Sequence, residues 1–150
     1  MSDLLKELQR EWSEDSPIDK TKLDDEALRV PYLHSKWTGH LNVMRKLVRK
    51  KQFELEKLTH LKKEHLGGYL SPEKVNELGW DHNPFNGRIK PMKGELKDWV
   101  SVDDVVATVR EELQELTDIR DFVIDVVEAI KWRHTHIRNA IDWQRFMAGG

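Results

Sequence analysis

Six apolar residues recur at intervals of seven along the last third of the chain: Val102, Val109, Leu116, Val123, Ile130 and Ile137. No proline or glycine interrupts them from Ser101 until Gly149. A seven-residue apolar repeat lies on one stripe of an α-helix, whereas a strand would throw successive members to opposite faces. The feature therefore predicts one long helix, with Ser101 as its cap. Val105, Val106, Leu113, Ile119, Val126, Val127, Ala140 and Ile141 widen the stripe, which Glu112 and Arg133 interrupt. A seam this broad suits more than one packing neighbour. A helix of about 47 residues is about 70 Å long, while a compact globule of this chain length has a radius of gyration of about 15 Å. Self-association is the expected way to cover the stripe, with Val109, Leu116, Val123, Val126, Ile130 and Ile137 as the assembly residues.

The rest of the chain also reads as helical. Leu4, Leu5, Leu8 and Trp12 give one apolar side to a short helix over 2–12, capped by Ser2 and ended by Ser16 and Pro17. Asp19 is expected to cap a second helix. Its apolar positions, Leu23, Ala27, Val30, Leu33, Trp37, Leu41, Met44, Val48, Leu55, Leu58 and Leu61, keep helical spacing until Gly67 and Gly68. Pro31 lies inside that pattern and predicts a kink or a fresh start. Ser71, Pro72 and Gly79 supply the cap, first turn and terminator of a short helix. Trp80 to Trp99 contains Pro84, Gly87, Pro91 and Gly94 without periodicity and reads as a loop. The expected organisation is all-α: a helical region over 1–66, a connection over 67–100, and an assembly helix over 101–150, in a single compact unit.

Charge distribution narrows the function. The 150 residues carry a formal net charge of only −2, but this conceals segregation. Residues 1–40 hold 6 Lys/Arg against 9 Asp/Glu, residues 41–66 hold 8 against 3, and residues 67–150 hold 11 against 15. One concentrated basic tract in a near-neutral chain suggests a directed anion-binding surface. With no cysteine, disulfides, thiolate nucleophiles and Cys-based zinc sites are excluded. The start lacks the pattern of a signal peptide, and no window reaches membrane-spanning length, so an intracellular protein is expected.

Within the tract, Arg45 and Arg49, and Lys46 and Lys50, are spaced by four, which aligns them as ridges on a helix; Lys51, Lys57, Lys62 and Lys63 follow, with His60 and His65 interleaved. Such a surface can face phosphates, and a solvated helical face is the competing reading. A second basic group, Lys131, Arg133, Arg138 and Arg145, lies near His134, His136, Trp132 and Trp143; the two tryptophans read as packing core, with base stacking as the alternative. Arg88, Lys90, Lys93 and Lys97 in the loop read as flexible support. The histidines lack the spacing of a metal site, so neither metal nor cofactor is expected. Glu111, Glu112 and Glu115, with Asp118 following, lie near the start of the long helix, and the run Glu111-Glu112-Leu113-Gln114-Glu115 resembles the first acidic box of the all-α nucleotide pyrophosphohydrolases. The second box of that family needs a Glu and an Asp three apart, and here Glu128 is followed at that spacing by Lys131. These acids read instead as a solvated face, and the chain as no enzyme.

Two segments resemble a known family. Ile18, Asp19, Thr21, Lys22 and Leu23, followed by Ser35, Lys36 and Trp37, are similar to the amino-terminal part of the UvsY recombination mediators of T-even-like bacteriophages. Ala129, Ile130, Lys131 and Arg133, then Ile137, Asp142, Phe146, Ala148 and Gly149, are similar to that family's end. The resemblance covers roughly residues 4–66 and 120–150. It implies a ring-like homo-oligomer of the hexamer or heptamer class, assembled through the carboxy-terminal helix, in which Phe146 joins the seam. It also implies binding of single-stranded DNA, loading of a RecA-like recombinase onto strands coated by single-stranded DNA-binding protein, and a place in the host cell cytoplasm. The family's basic pair in the long helix falls at His60 and Lys62, with Lys57 and Lys63 alongside. DNA contact is accordingly expected from Arg45, Lys46, Arg49, Lys50, Lys57, His60, Lys62 and Lys63. A coiled-coil scaffold indifferent to DNA is the alternative, and a magnesium-dependent pyrophosphohydrolase a further one.

Overall fold

A computed structural model describes residues 2–85 and 87–149, except the side chain of Ser2, so the expected Ser2 cap lies outside the described residues. Among them the elements are α1 (Ser2–Asp15), α2 (Leu23–Gly67), α3 (Pro72–Leu78), a 3-10 turn (Lys93–Glu95), α4 (Leu96–Ser101) and α5 (Asp104–Met147), with no strand. The all-helical expectation holds, and two helices of 45 and 44 residues dominate. Pro31 lies within α2 and does not start a new helix. Asp19 closes a turn, accepting hydrogen bonds from the amide and hydroxyl of Thr21 at 2.9 and 2.6 Å, and α2 begins only at Leu23. Ser101 likewise ends α4. The cap of α5 is Asp103, whose carboxylate accepts from the amides of Val105 and Val106 at 3.0 and 3.2 Å. Val102, first of the six repeat positions, therefore precedes α5 and is exposed.

Packing groups the chain into two compact units, Met1–Val48 with Glu115–Gly150, and Arg49–Gln114; α2 and α5 each contribute to both. In the first unit the repeat is covered within one chain. Leu116, Val123, Val126, Ile130 and Ile137 are buried, as are Leu33, Trp37, Leu41, Met44 and Val48 of α2 and Leu8 of α1. Burying an aliphatic side chain is worth about 1.5–3 kcal/mol, so the stripe first stabilises its own subunit. Val109, in the second unit, is buried too. The premise that one subunit cannot cover this seam is therefore corrected: α1 and the first half of α2 supply the missing apolar surface.

Polar groups lock the same unit. Trp12 meets Trp37 edge-on at 5.7 Å. Asp15 is 6% exposed and accepts from Trp37 Nε1 at 2.9 Å, Lys36 Nζ at 2.7 Å and Arg29 at 3.1 Å. Burial pushes its carboxyl up, but the Lys36 and Trp37 hydrogen bonds and the charges of Lys36 and Arg29 outweigh that and hold it below the ordinary carboxylate range. Glu11 follows the same pattern: burial opposes ionisation, and Lys36 and His40 overcome it. Arg133, which breaks the apolar repeat, is 3% exposed. Its guanidinium donates to the carbonyls of Ser16 and Pro17 at 2.9 Å each and to Glu26 at 2.8 Å, tying α5 to the α1–α2 connection.

The second unit is built on the end of α2. Leu66, Val100 and Val106 form its buried centre, packed against Leu55, Leu58, Phe85, Leu96 and Trp99. The stretch from Trp80 to Trp99 is thus ordered partly as the 3-10 turn and α4, which the proline and glycine content concealed. Gly68, at φ 79°, stops α2 as expected: its amide bonds the His65 carbonyl at 3.2 Å, and the Tyr69 amide bonds that of Glu64 at 2.8 Å. Ser71 caps α3 by accepting from the Lys74 amide at 3.2 Å, and Gly79 closes it at φ 71°.

Candidate nucleic-acid interface

The basic tract falls wholly on α2, and burial sorts its cations. In the second unit Arg49, Lys50, Lys57, His60 and Lys63 are exposed. Arg45 and Lys46 are exposed on the same helix within the first unit. The buried face of the helix is apolar, so side chains opposite it project to water. Among the described residues Arg45, Lys46, Arg49, Lys50 and Lys63 form no ion pair. His60 has a partner within reach, with Nε2 3.2 Å from the Glu64 carboxylate.

Two neighbouring lysines are already engaged. Lys51 bridges Glu54 and Glu112, at 3.0 Å each, and its hydrogen bonds to Glu112 and Glu54 raise its pKa above that of a free lysine. This also occupies Glu112, one of the acids that resembled a pyrophosphohydrolase box. Lys62 corrects the expectation for that position. Its side chain is 8% exposed, with Nζ 3.9 Å from the centre of the Trp80 ring and 3.4 Å from the Asp103 carboxylate. Beside it the buried His65 has Nε2 2.6 Å from the Asp81 carbonyl; that oxygen can only accept, so Nε2 carries the proton. Lys62 and His65 fasten the loop after α3 to α2 and are withdrawn from solvent.

Phe53 was missed in reading the tract. It is 62% exposed on α2, three residues after Lys50 and four before Lys57, and Lys57 Nζ lies 5.6 Å from its ring centre. Lys50, Phe53, Glu54, Lys57, Leu58 and Leu61 line a shallow, mainly apolar depression. The sequence signal was available in the spacing, since residues at i−3 and i+4 share a helical face with i.

The second basic group divides differently. Arg133 is buried in the fold and Lys131 lies 3.7 Å from Glu128, while Arg138 and Arg145 are exposed. Trp132 and Trp143 are exposed and not core, and Trp143 stacks on the exposed Phe146 at 5.6 Å. In the loop Arg88, Lys90, Lys93 and Lys97 are exposed, with Lys90 Nζ 5.8 Å from the centre of the Tyr69 ring. Among the described residues no helix is long and apolar enough to cross a membrane.

Known proteins share this fold. Residues 11–150 match the family described as "Recombination, repair and ssDNA binding protein UvsY". The recombination protein uvsY of Enterobacteria phage T4 is 32% identical over 146 residues, spanning 97% of this chain and 98% of the relative. The crystal structure of the bacteriophage T4 recombination mediator protein UvsY in lattice type II is similar with a TM-score of 0.79 and 25% identity, over 95% of this chain and 96% of that one. In lattice type I the TM-score is 0.78 at 25% identity, over 94% and 98%. A match over residues 11–150 and a relative similar along nearly its whole length establish that this chain belongs to the UvsY family of recombination, repair and single-stranded DNA-binding proteins.

Proposed function

We propose that this protein mediates recombination by holding single-stranded DNA along the exposed cations of α2, and that it loads a RecA-like recombinase onto strands coated by single-stranded DNA-binding protein. The observation that carries this reading is the set of exposed cations on α2 that form no ion pair among the described residues, Arg49, Lys50 and Lys63 in the second unit, with Lys57 beside them. Cations already paired within the fold gain little from a phosphate, whereas these release counterions from the strand when they meet it. The face carries no groove-reading element, so contact is with the sugar-phosphate backbone and tolerates any sequence. No chemical step is needed; the protein works by positioning.

Copies of the chain act together in this reading, as a ring of the hexamer or heptamer class. Because Leu116, Val123, Val126, Ile130 and Ile137 are covered within the chain, their part in assembly is to hold α5 in place. The exposed Trp132, Trp143 and Phe146 on α5 are the surface available to a second copy. Repetition of a weak cationic face around a ring raises the effective concentration of each contact.

Salt dependence tests the DNA face. Log affinity for an oligonucleotide should fall with log salt at about 0.7 per phosphate neutralised, and Lys50, Lys57 and Lys63 together replaced by Ala should reduce that slope by about 2 while oligomer mass is unchanged. The same variant should stimulate the recombinase less on protein-coated strands. An undiminished slope by fluorescence anisotropy moves the site away from α2.

A further inference from the structure

We propose that Phe53 is a stacking platform for a nucleobase of the bound strand, with Lys50 and Lys57 holding the phosphates on either side. This rests on the backbone reading above and adds a second kind of contact to it. An exposed phenylalanine alone signifies little, since much of any folded surface is apolar. Its surroundings distinguish this one. Lys50 and Lys57 flank it on one helical face, and Leu58 and Leu61 extend its apolar surface into the depression. Glu54 is the acid that lines this depression, and its carboxylate is held by Lys51 at 3.0 Å, which leaves Lys50 and Lys57 to set the local charge.

The chemistry of the occupant follows from these groups. A flat apolar ring between two cations fits a flat aromatic group carried on a polyanion, which describes one nucleotide of an unpaired strand. An apolar helix would meet Arg49, Lys50 and Lys57 instead of a continuous apolar stripe and would have to desolvate them. Duplex DNA keeps its bases inside the stack, so the platform discriminates single strands from duplex without reading sequence. Phe53 carries no hydrogen-bonding group and cannot read a base edge, so any base serves.

Phe53→Leu and Phe53→Trp, measured on two strands of equal length, separate this contact from the electrostatic one. One strand is an ordinary mixed-base oligonucleotide and the other has abasic sites throughout. Base stacking on an aromatic side chain is worth about tenfold or more in affinity. The wild-type protein should therefore prefer the base-bearing strand by about tenfold. Phe53→Leu should lose that preference, keep its affinity for the abasic strand and keep the salt slope, while Phe53→Trp should retain the preference. Since Phe53 is mostly exposed, oligomer mass and helical circular dichroism should stay constant in both variants. If Phe53→Leu keeps the wild-type preference, or weakens both strands equally, the platform is overturned and the backbone reading stands. If the wild-type protein binds neither strand, the backbone reading itself falls.

Discussion

Arg133 in the first unit and the Lys50–Lys57 face in the second are both cations set among helical apolar residues, yet they have opposite fates. Arg133 is enclosed and its two terminal guanidinium nitrogens donate to Glu26 and two carbonyls, whereas Lys50 is exposed and forms no ion pair among the described residues. The difference comes from what lies opposite each residue on its helix. Arg133 interrupts the buried stripe of α5, so it has to be satisfied inside the fold. Lys50 and Lys57 lie opposite the buried stripe of α2 and remain in water. A cation's availability to a ligand is therefore set by its phase relative to the apolar stripe more than by the local density of charge.

Removing Arg133 should break this comparison most sharply. Replacing it with Met takes a donor from the Ser16 and Pro17 carbonyls and leaves the Glu26 carboxylate, 12% exposed, with Arg29 at 3.9 Å beside it. Loss of one partner from a buried pair costs about 3–5 kcal/mol, and the lower end of that range is expected here. Chemical denaturation should register that loss. Strand binding by the folded fraction should keep its wild-type salt slope, because Arg133 neutralises no phosphate. A lowered slope with unchanged stability would show that Arg133 leaves its pocket for the ligand.

Asp15 offers the next largest effect and adds a pH axis. Its carboxyl is held below the 3.8 of an ordinary aspartate, so its stabilisation is fully present above that value and is lost as pH falls through the folded pKa. Glu11 is lowered too and acts in the same direction. Asp15→Asn should cost about 2 kcal/mol near neutral pH, since the amide can still accept from Trp37 but no longer balances Lys36 and Arg29. The variant should also lose part of the wild-type drop in melting temperature on acidification below about pH 4. Parallel acid profiles in the two proteins would contradict the assignment.

Periodicity made the long helices legible, and the Ser71, Pro72 and Gly79 signals gave α3 to the residue. The starts of α2 and α5 shifted because Asp19 and Ser101 are chemically able to cap, and only the tertiary path decides whether Asp19 closes a turn and Asp103 takes the cap. The basic tract was read correctly as a helical surface in most positions, since exposure follows from helical phase. Its exception, Lys62, depends on Trp80 and Asp103, which are distant in sequence and reach α2 only once the later segment packs. The covering of the α5 stripe was hidden for the same reason, as a repeat shows how wide an apolar face is but not whether its partner is in the same chain.

Lys62 yields the smallest effect and sharpens the comparison, because it sits inside the tract yet resembles Arg133 in its surroundings. Met in its place keeps most of the volume and an attractive contact with the Trp80 ring. Asp103 keeps its two amide donors at the start of α5 and is not left unpaired. The cost should therefore be about 1 kcal/mol, from the lost cation–aromatic contact and ion pair. If Lys62 is structural, the salt slope of Lys62→Met equals that of the wild type, while Lys57→Ala, with little change in stability, lowers it by about 0.7. A slope reduced equally by both substitutions would mean that Lys62 leaves Trp80 to meet a phosphate. Burial would then not sort the cations of this helix.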